Sequence, residues 1–472
     1  MCCRFVLAVY AVVALSGGVF ADEPDPHDGM RVRTARQVTP DQVDVETLGA
    51  RIIITSEKVT LVSTLDYTTG RTTSLLPVGE LTWDEPIGSP TVAEVTPRRA
   101  VIETPKVRII VHGDSLIRID AVAPVSYVYA SRLDKPEWVK GHGVNRMWAL
   151  PRGGSLHLLA GGESTAPDAD SVRVSLPAGN YSGLSVFPPK PFDAARLYGP
   201  SARPHVFFVY STKNIARYLA APDEFFGLLT WRRFGTVVLF GGLYTNEEKP
   251  VVDHDDGLKK YTFTDLERVR AFIAETHRRG FKVITYMKAD YFAGQHVDVT
   301  RDWMRKFQRE HQLDGWYFDN ADIAGTWWKN YAFLRSVRDD VGSDGILYHH
   351  DSVDTWGGWS GAVFVPADAY VDYTLKGETG RLAGITGPED LYLRYYTRGF
   401  SGNLADHKLS KQSTLSRPAL MEVLAKTSGV KRLGSLGTNA LKEWDRYYRI
   451  PFNQARDRWR LSNPNLPAES VR

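Results

Sequence analysis

Cysteine is nearly absent. The 472 residues include two, Cys2 and Cys3, both ahead of a short apolar run near the N-terminus. The body of the protein must therefore be stable without disulfides, and cysteine-built metal sites are excluded. Net charge is also scarce: 58 basic against 55 acidic residues leave +3, too little to make a case for nucleic acid or an acidic membrane surface as partner. Long apolar runs are missing. The one near the N-terminus, Phe5 to Leu15, is too short to span a bilayer comfortably. No glycine-rich phosphate loop follows any expected strand, which counts against nucleotide binding. There is no repeat of fixed short period and no low-complexity tract. No motif calls for a cofactor.

What is present begins with an address. Arg4 supplies a positive start, Phe5 to Leu15 an apolar segment, and Val19-Phe20-Ala21 a small-residue cleavage site before Asp22. Residues 1–21 read as a signal peptide of an exported bacterial protein, periplasmic or secreted, with no membrane anchor in the mature form; an uncleaved anchor is the alternative. Residues 22–48 are polar, with Pro, Asp and Gln, and are expected to be a loose lead-in. Residues 49–190 have the texture of a β-sandwich, with short runs of branched residues separated by turns. Its clearest piece is KVRIIVHGDSLIRIDA. Val107, Ile109 and Val111 alternate, His112 to Ser115 turn, and Leu116, Ile117 and Ile119 return, as a hairpin does.

After a Pro/Gly/Ser-rich transition the period changes. Over residues 191–472 short apolar strands alternate with amphipathic stretches of helix length. Strands are expected at His205–Tyr210, Thr236–Phe240, Phe281–Tyr286, Gly315–Asp319, Gly345–His349 and Ala369–Tyr373, then near Phe400 and near Val430. Helix signals lie between them. Thr264 with Glu267 reads as a capping box before the stripe Leu266, Val269, Ile273; Gly280 ends that helix, and Thr300 caps the next. Eight such units predict an α/β fold, a (β/α)8 TIM barrel preceded by an N-terminal β-sandwich domain. A doubly wound open sheet is the runner-up.

The chain is organised around LDGWYFDN, Leu313 to Asn320. A strand apolar on both faces carries an acid, Asp319, at its C-terminal end, where β/α-barrel enzymes place catalytic groups. The other strand ends are also polar and aromatic. Glu247 follows strand two, Lys288 and Asp290 strand three, Asn320 strand four, and His349, His350 and Asp351 strand five. Asp372 and then Glu378 belong to strand six. With Trp356 as a stacking surface, such a set suits a sugar. Glycoside cleavage needs two carboxyl groups flanking the bond. Asp319 is the nucleophile candidate, Glu378 the first choice for acid/base, Asp372 the second and Asp351 the third. Lys288, Asp290, Asn320, His349, His350, Asp351, Trp356 and Glu247 are candidates for substrate binding. No metal is expected: His349 and His350 are neighbours on a strand and point to opposite faces.

DGWYFDN and the sandwich hairpin resemble the retaining (β/α)8 α-glycosidases of the α-galactosidase and α-glucosidase type. The resemblance implies an N-terminal β-sandwich, the nucleophile role for Asp319 and an acid/base from the end of strand six, where this chain offers a glutamate in place of that family's usual aspartate. The expected function is thus an exported glycosidase cleaving an oligo- or polysaccharide. The alternatives are a catalytically inactive carbohydrate-binding barrel, or a barrel lyase or isomerase using Lys288 and a histidine.

Overall fold

The computed structural model describes residues 31–47, 49–66, 71–132, 138–142, 145–150, 154–159, 163–165, 171–186, 203, 205–231, 234–244, 262–288, 297–319, 327–350, 370–375 and 400–402.

The N-terminal part is all β. Its strands are β1 (Thr34–Thr39), β2 (Gln42–Glu46), β3 (Ala50–Thr55), β4 (Lys58–Asp66), β5 (Arg71–Trp83), β6 (Thr91–Val95), β7 (Arg99–Glu103) and β8 (Val107–His112). There follow β9 (Leu116–Ala121), β10 (Val125–Ser131), β11 (Trp138–His142), β12 (Asn145–Leu150), β13 (Gly154–Leu159), β14 (Glu163–Thr165), β15 (Ser171–Leu176) and β16 (Tyr181–Val186). They form two antiparallel sheets, in the orders β1-β2-β3-β4-β5-β10-β15-β14 and β11-β12-β13-β16-β9-β8-β7-β6. Val43, Ile52, Ile54, Tyr127 and Val174 from one sheet and Ile102, Ile109, Ile117 and Leu184 from the other share a single core. The arrangement is sandwich-like, with inward apolar residues alternating along each strand. The hairpin read from the sequence is β8–β9, with Ser115 in the left-handed region at φ 67°. One expectation is corrected. Part of the lead-in, residues 34–46, is strand: β2 pairs in register with β3, and Val43 and Val45 are fully buried. Two branched residues in a polar context were enough to anchor it to the core.

The second part is built on a parallel sheet. In chain order come β17 (His205–Val209), α1 (Thr212–Ala220), α2 (Pro222–Trp231), β18 (Phe234–Leu239), α3 (Leu266–Arg278), β19 (Lys282–Lys288) and α4 (Val297–Glu310). Then come β20 (Gly315–Asp319), α5 (Trp327–Val341), β21 (Ile346–His350), β22 (Tyr373–Leu375) and β23 (Phe400–Gly402). The seven strands lie side by side in chain order, each parallel to the next. Sequential parallel order with a helix behind each of several strands is the pattern of repeated βα units. A doubly wound sheet would reverse its order at a switch point; no reversal occurs among the described strands. The eighth strand, expected near Val430, lies outside the described residues.

The sheet is strongly curled. Neighbouring strands are ~4.8 Å apart, so in a flat sheet β17 and β21, four strands apart, would be separated by roughly 19 Å. Yet the ring of Phe208 on β17 lies 6.0 Å from Tyr348 on β21 and 5.3 Å from Tyr317 on β20. The concave face is closed upon itself by aromatic contact. The convex face packs on helices: Phe207 against Tyr218 and Phe225, Trp316 near Trp303 and Phe307, Phe318 against Phe333. A glycine permits the tightest approach. A Cβ on Gly315, at φ 153°, would sit 1.9 Å from the carbonyl oxygen of Ile346.

Three local expectations shift. Strand six begins at Tyr373 rather than Ala369. Helix α3 is capped by Asp265, whose carboxylate accepts from the Arg268 amide at 3.2 Å, while the Thr264 hydroxyl bonds to the Leu243 carbonyl instead. Asp and Thr are both competent caps, and the turn after Leu243 draws Thr264 away. Thr300 is buried inside α4 rather than capping it. Gly280 ends α3 as expected, at φ 75°.

The two parts are joined through the β8–β9 turn. Asp114, with no exposed surface, accepts hydrogen bonds from the Tyr331 and Tyr370 hydroxyls, 2.5 Å each, and from the Leu116 amide at 3.1 Å. Arg335 donates to the Tyr331 hydroxyl and to His112 Nδ1, both at 3.0 Å. Burial, then the charge of Arg335, pushes His112 down to about 3, so it is neutral and able to accept that bond. The Arg118 guanidinium lies 4.4 Å from both the Tyr181 and Trp328 rings. For Asp114 burial is the largest influence and raises its carboxyl, but Arg335, His112 and the two phenols together outweigh it and hold the group below its usual value. A depressed carboxyl stabilises the fold above its unfolded value, near 3.9, and that contribution is lost as pH falls through the folded value. Asp114→Ala should therefore cost about 3 kcal/mol, because it strands buried donors. Thermal unfolding would show this as a lowered midpoint, and Asp114→Asn should lose less stability than the parent between neutral pH and the acid side of pH 4.

Candidate active site

The candidate site is the C-terminal end of β20. Side chains alternate across a strand, so Tyr317 and Asp319 share the concave face while Trp316 and Phe318 face the helices. Tyr317 is the centre of an aromatic layer. In register across the sheet stand Tyr286, Tyr317, Tyr348 and Tyr373. Phe240 and Tyr210 extend the layer beyond Tyr286, with ring centroids 4.6 Å and 4.8 Å apart. This layer fills the interior beneath Asp319, and Asp319 sits one step above it, half-buried. The hydroxyl of Tyr286 donates to Asp319 Oδ2 at 3.2 Å.

The neighbours of Asp319 follow from register. Lys288 on β19 and His350 on β21 are its paired positions. The row Lys288–Asp319–His350 thus gathers three of the expected site residues on adjacent strands. His349 does not join them: it shares the parity of Phe318, is fully buried, and lies on the helix side of the sheet. Its expected substrate contact is corrected by the alternation of the strand. Glu378, Asp290, Asn320, Asp351, Trp356 and Glu247 lie outside the described residues.

Asp372 is also corrected. It precedes β22 and so lies at the opposite end of the sheet from Asp319. Its side chain has no exposed surface, is paired with Arg338 at 2.5 Å, and accepts the Leu347 amide at 2.7 Å. Arg338 in turn donates to the carbonyls of Tyr370, Gly342 and Gly345 at 2.8, 3.1 and 2.9 Å. A buried carboxylate so engaged fixes the β21–β22 connection and lies away from the strand end that carries Asp319.

The first acid of the motif has a similar structural task. Asp314, at the N-terminal end of β20, bonds His277 at 2.8 Å, Lys282 at 3.0 Å and the Val283 amide at 2.7 Å. Burial raises its carboxyl, but His277, the Val283 amide and Lys282 together bring it below the ordinary range. The two acids of LDGWYFDN thus divide the work: one ties the base of the sheet, the other faces its mouth. Neither Tyr286 nor Asp114 was singled out as polar by sequence reasoning. An aromatic two residues before a strand's last lysine, and an acid in a hairpin turn, are signals that only register and docking convert into contacts. Among the described residues no group of three or more His, Cys, Asp or Glu could hold a metal ion, and no helix is long and apolar enough to cross a membrane.

No family model matches the chain, and no curated protein matches it. Solved structures do resemble it. The galactosidase domain of an alpha-galactosidase–sucrose kinase is 10% identical, with 89% of this chain and 87% of that one covered and a TM-score of 0.38. A cycloalternan-forming enzyme from Listeria monocytogenes, in complex with a pentasaccharide substrate, is 8% identical over 77% of this chain, with a TM-score of 0.33. An alpha-amylase from Geobacillus thermoleovorans, complexed with acarbose, is 11% identical over 44% of this chain, with a TM-score of 0.30. This chain spans 46% of the Listeria enzyme's length. At such identities and scores, function has to come from the site itself.

Asp372 and Asp319 should differ sharply in their response to substitution. Asp372→Ala should lower stability by about 3–5 kcal/mol, since it leaves Arg338 charged and buried; Asp319→Asn, at a half-exposed position, should change it by less than about 1 kcal/mol. Denaturant titration of the two variants reads both values.

Proposed function

We propose that the protein is an exported glycosidase cleaving an oligo- or polysaccharide, with Asp319 as nucleophile. The observation that carries this reading is the inward-facing Asp319 at the C-terminal end of a central parallel strand, above a floor of aromatic rings. In this reading the curled sheet is a closed (β/α)8 barrel, its eighth strand supplied by the region near Val430, and the loops after the strands form a sugar-sized cleft. A sugar ring presents hydroxyls to carboxylates, amides and histidine, and its faces to aromatic rings. Asp351, Asp290, Asn320, His350, Lys288, Trp356 and Glu247 are assigned to binding.

The chemistry needs a second carboxyl group. We assign it to Glu378, which follows the last described residue of β22 by three positions. An Asp319 oxygen attacks the anomeric carbon and forms an ester. The electron pair of the glycosidic bond leaves with the aglycone oxygen, which takes the proton of Glu378. Glu378, now a carboxylate, then removes a proton from water, whose oxygen attacks the same carbon and releases Asp319. No electrons are gained or lost, and no cofactor is required. Export is part of the proposal, through residues 1–21 as signal peptide.

One observation favours a second reading. Lys288 and His350 flank Asp319 in register, a pairing that also suits proton abstraction by a sugar lyase or isomerase. The two are separated by products: a hydrolase releases a reducing sugar with oxygen from water, whereas a lyase leaves an unsaturated one.

Asp319→Asn should lower kcat by at least roughly a thousandfold while the fold is kept. Glu378→Gln should be impaired on poor leaving groups and largely spared in the first step on good ones that need no protonation. A screen against chromogenic glycosides measures both. Asp319→Asn retaining full activity on every cleaved substrate would remove Asp319 from the mechanism.

A further inference from the structure

We infer that Tyr286 is a positioning residue for Asp319 and governs the second half of the reaction, the release of the sugar from the enzyme. The inference rests on Asp319 being the nucleophile.

Tyr286 is 4% exposed, and its ring is held edge-on by Phe240 at 4.6 Å and beside Tyr317 at 5.9 Å. Its hydroxyl reaches one step up and across from β19 to β20 and donates to Asp319 Oδ2 at 3.2 Å. The ring is thus packed as part of the floor while its single polar atom meets the acid above. Aromatic packing fixes where that proton is offered.

The consequence follows from charge. The bond is strongest when the carboxylate carries its full negative charge and weaker when one oxygen is esterified to the sugar. In the attack step the carboxylate loses charge, so the bond orients the nucleophile but also holds back its electrons, and the two effects offset. In the release step the C–O ester bond breaks, its electron pair returns to the Asp319 oxygen, and water supplies the new bond to the anomeric carbon. Charge grows on the carboxylate as the Tyr286 hydroxyl stands ready to receive it. A group preorganised for developing charge speeds the step in which that charge develops. Tyr286 therefore serves release far more than attack.

Tyr286→Phe keeps the ring and removes only the oxygen. On an aryl glycoside with a good leaving group, kcat should fall roughly tenfold to a hundredfold, the range of a hydrogen bond to a charged group. KM should fall with it as the glycosyl-enzyme accumulates, leaving kcat/KM within about threefold, and a burst of released phenolate should appear. The melting temperature should stay close to that of the parent. Tyr286→Leu removes ring and oxygen together, so its melting temperature should fall where that of Tyr286→Phe does not, which separates loss of packing from loss of the bond. Tyr286→Phe with unchanged kcat, or with kcat/KM lost in proportion to stability and no burst, overturns the inference.

A second readout does not need turnover. With aspartate labelled at the side-chain carboxyl carbon, the Asp319 resonance is identified by its absence in Asp319→Asn. It should move in Tyr286→Phe. If it does not, the bond is absent and the inference fails even though the parent hydrolyses glycosides. If it moves but the parent cleaves no glycoside and forms no glycosyl-enzyme, the glycosidase reading fails and takes the release role with it.

Discussion

Everything at the candidate site depends on the aromatic contact across the inside of the parallel sheet. Phe208 touches Tyr317 and Tyr348, three and four strands away. That contact requires curvature, and curvature draws the strand ends toward one another. The same rings exclude water from the interior and bury large apolar area, which is the main favourable term in folding such a sheet. Asp319 lies at the C-terminal end of β20, one step above this layer. A polar or small side chain at Tyr317 would undo both the floor and the shape.

The sheet is secured from three sides. Asp314 binds its base through His277, Lys282 and the Val283 amide. Arg338 and Asp372 form an ion pair without exposed surface that locks β21 to β22. The sandwich-like part contributes Asp114, inserted between Tyr331 and Tyr370. Among the described residues the fully buried acids Asp44, Asp114 and Asp372 are all partnered, as the expense of desolvation requires. Asp314 and Asp372 are held by cations and backbone amides, and Asp319 accepts from the Tyr286 hydroxyl at the edge of the floor.

Much of this was legible in the sequence. The alternation in KVRIIVHGDSLIRIDA gives β8 and β9, and the two-faced apolar run GWYFD gives β20 with Asp319 at its end. Both signals are local and periodic. The errors are where local signals tie or long-range contacts decide. In AYVDYTL the apolar residues flank Asp372 on both sides, so the strand could be placed before or after it; the buried Arg338, distant in sequence, decides for after. Thr264 and Asp265 are equally good caps, and the choice is made by a carbonyl at Leu243. Residues 34–46 read as lead-in because only two branched residues of β2 reach the core. The Tyr286–Asp319 bond depends on the register of two strands, a quantity that no single strand's sequence carries.

The most direct test of the account is covalent trapping. The purified protein would be incubated with activated 2-deoxy-2-fluoroglycosides, which form the glycosyl-enzyme readily and release it slowly, and the modified peptide identified by mass spectrometry. The account predicts a single sugar on the peptide containing Asp319 and none on the Asp319→Asn variant. A label on another carboxylate, with Asp319 unmodified, would contradict it.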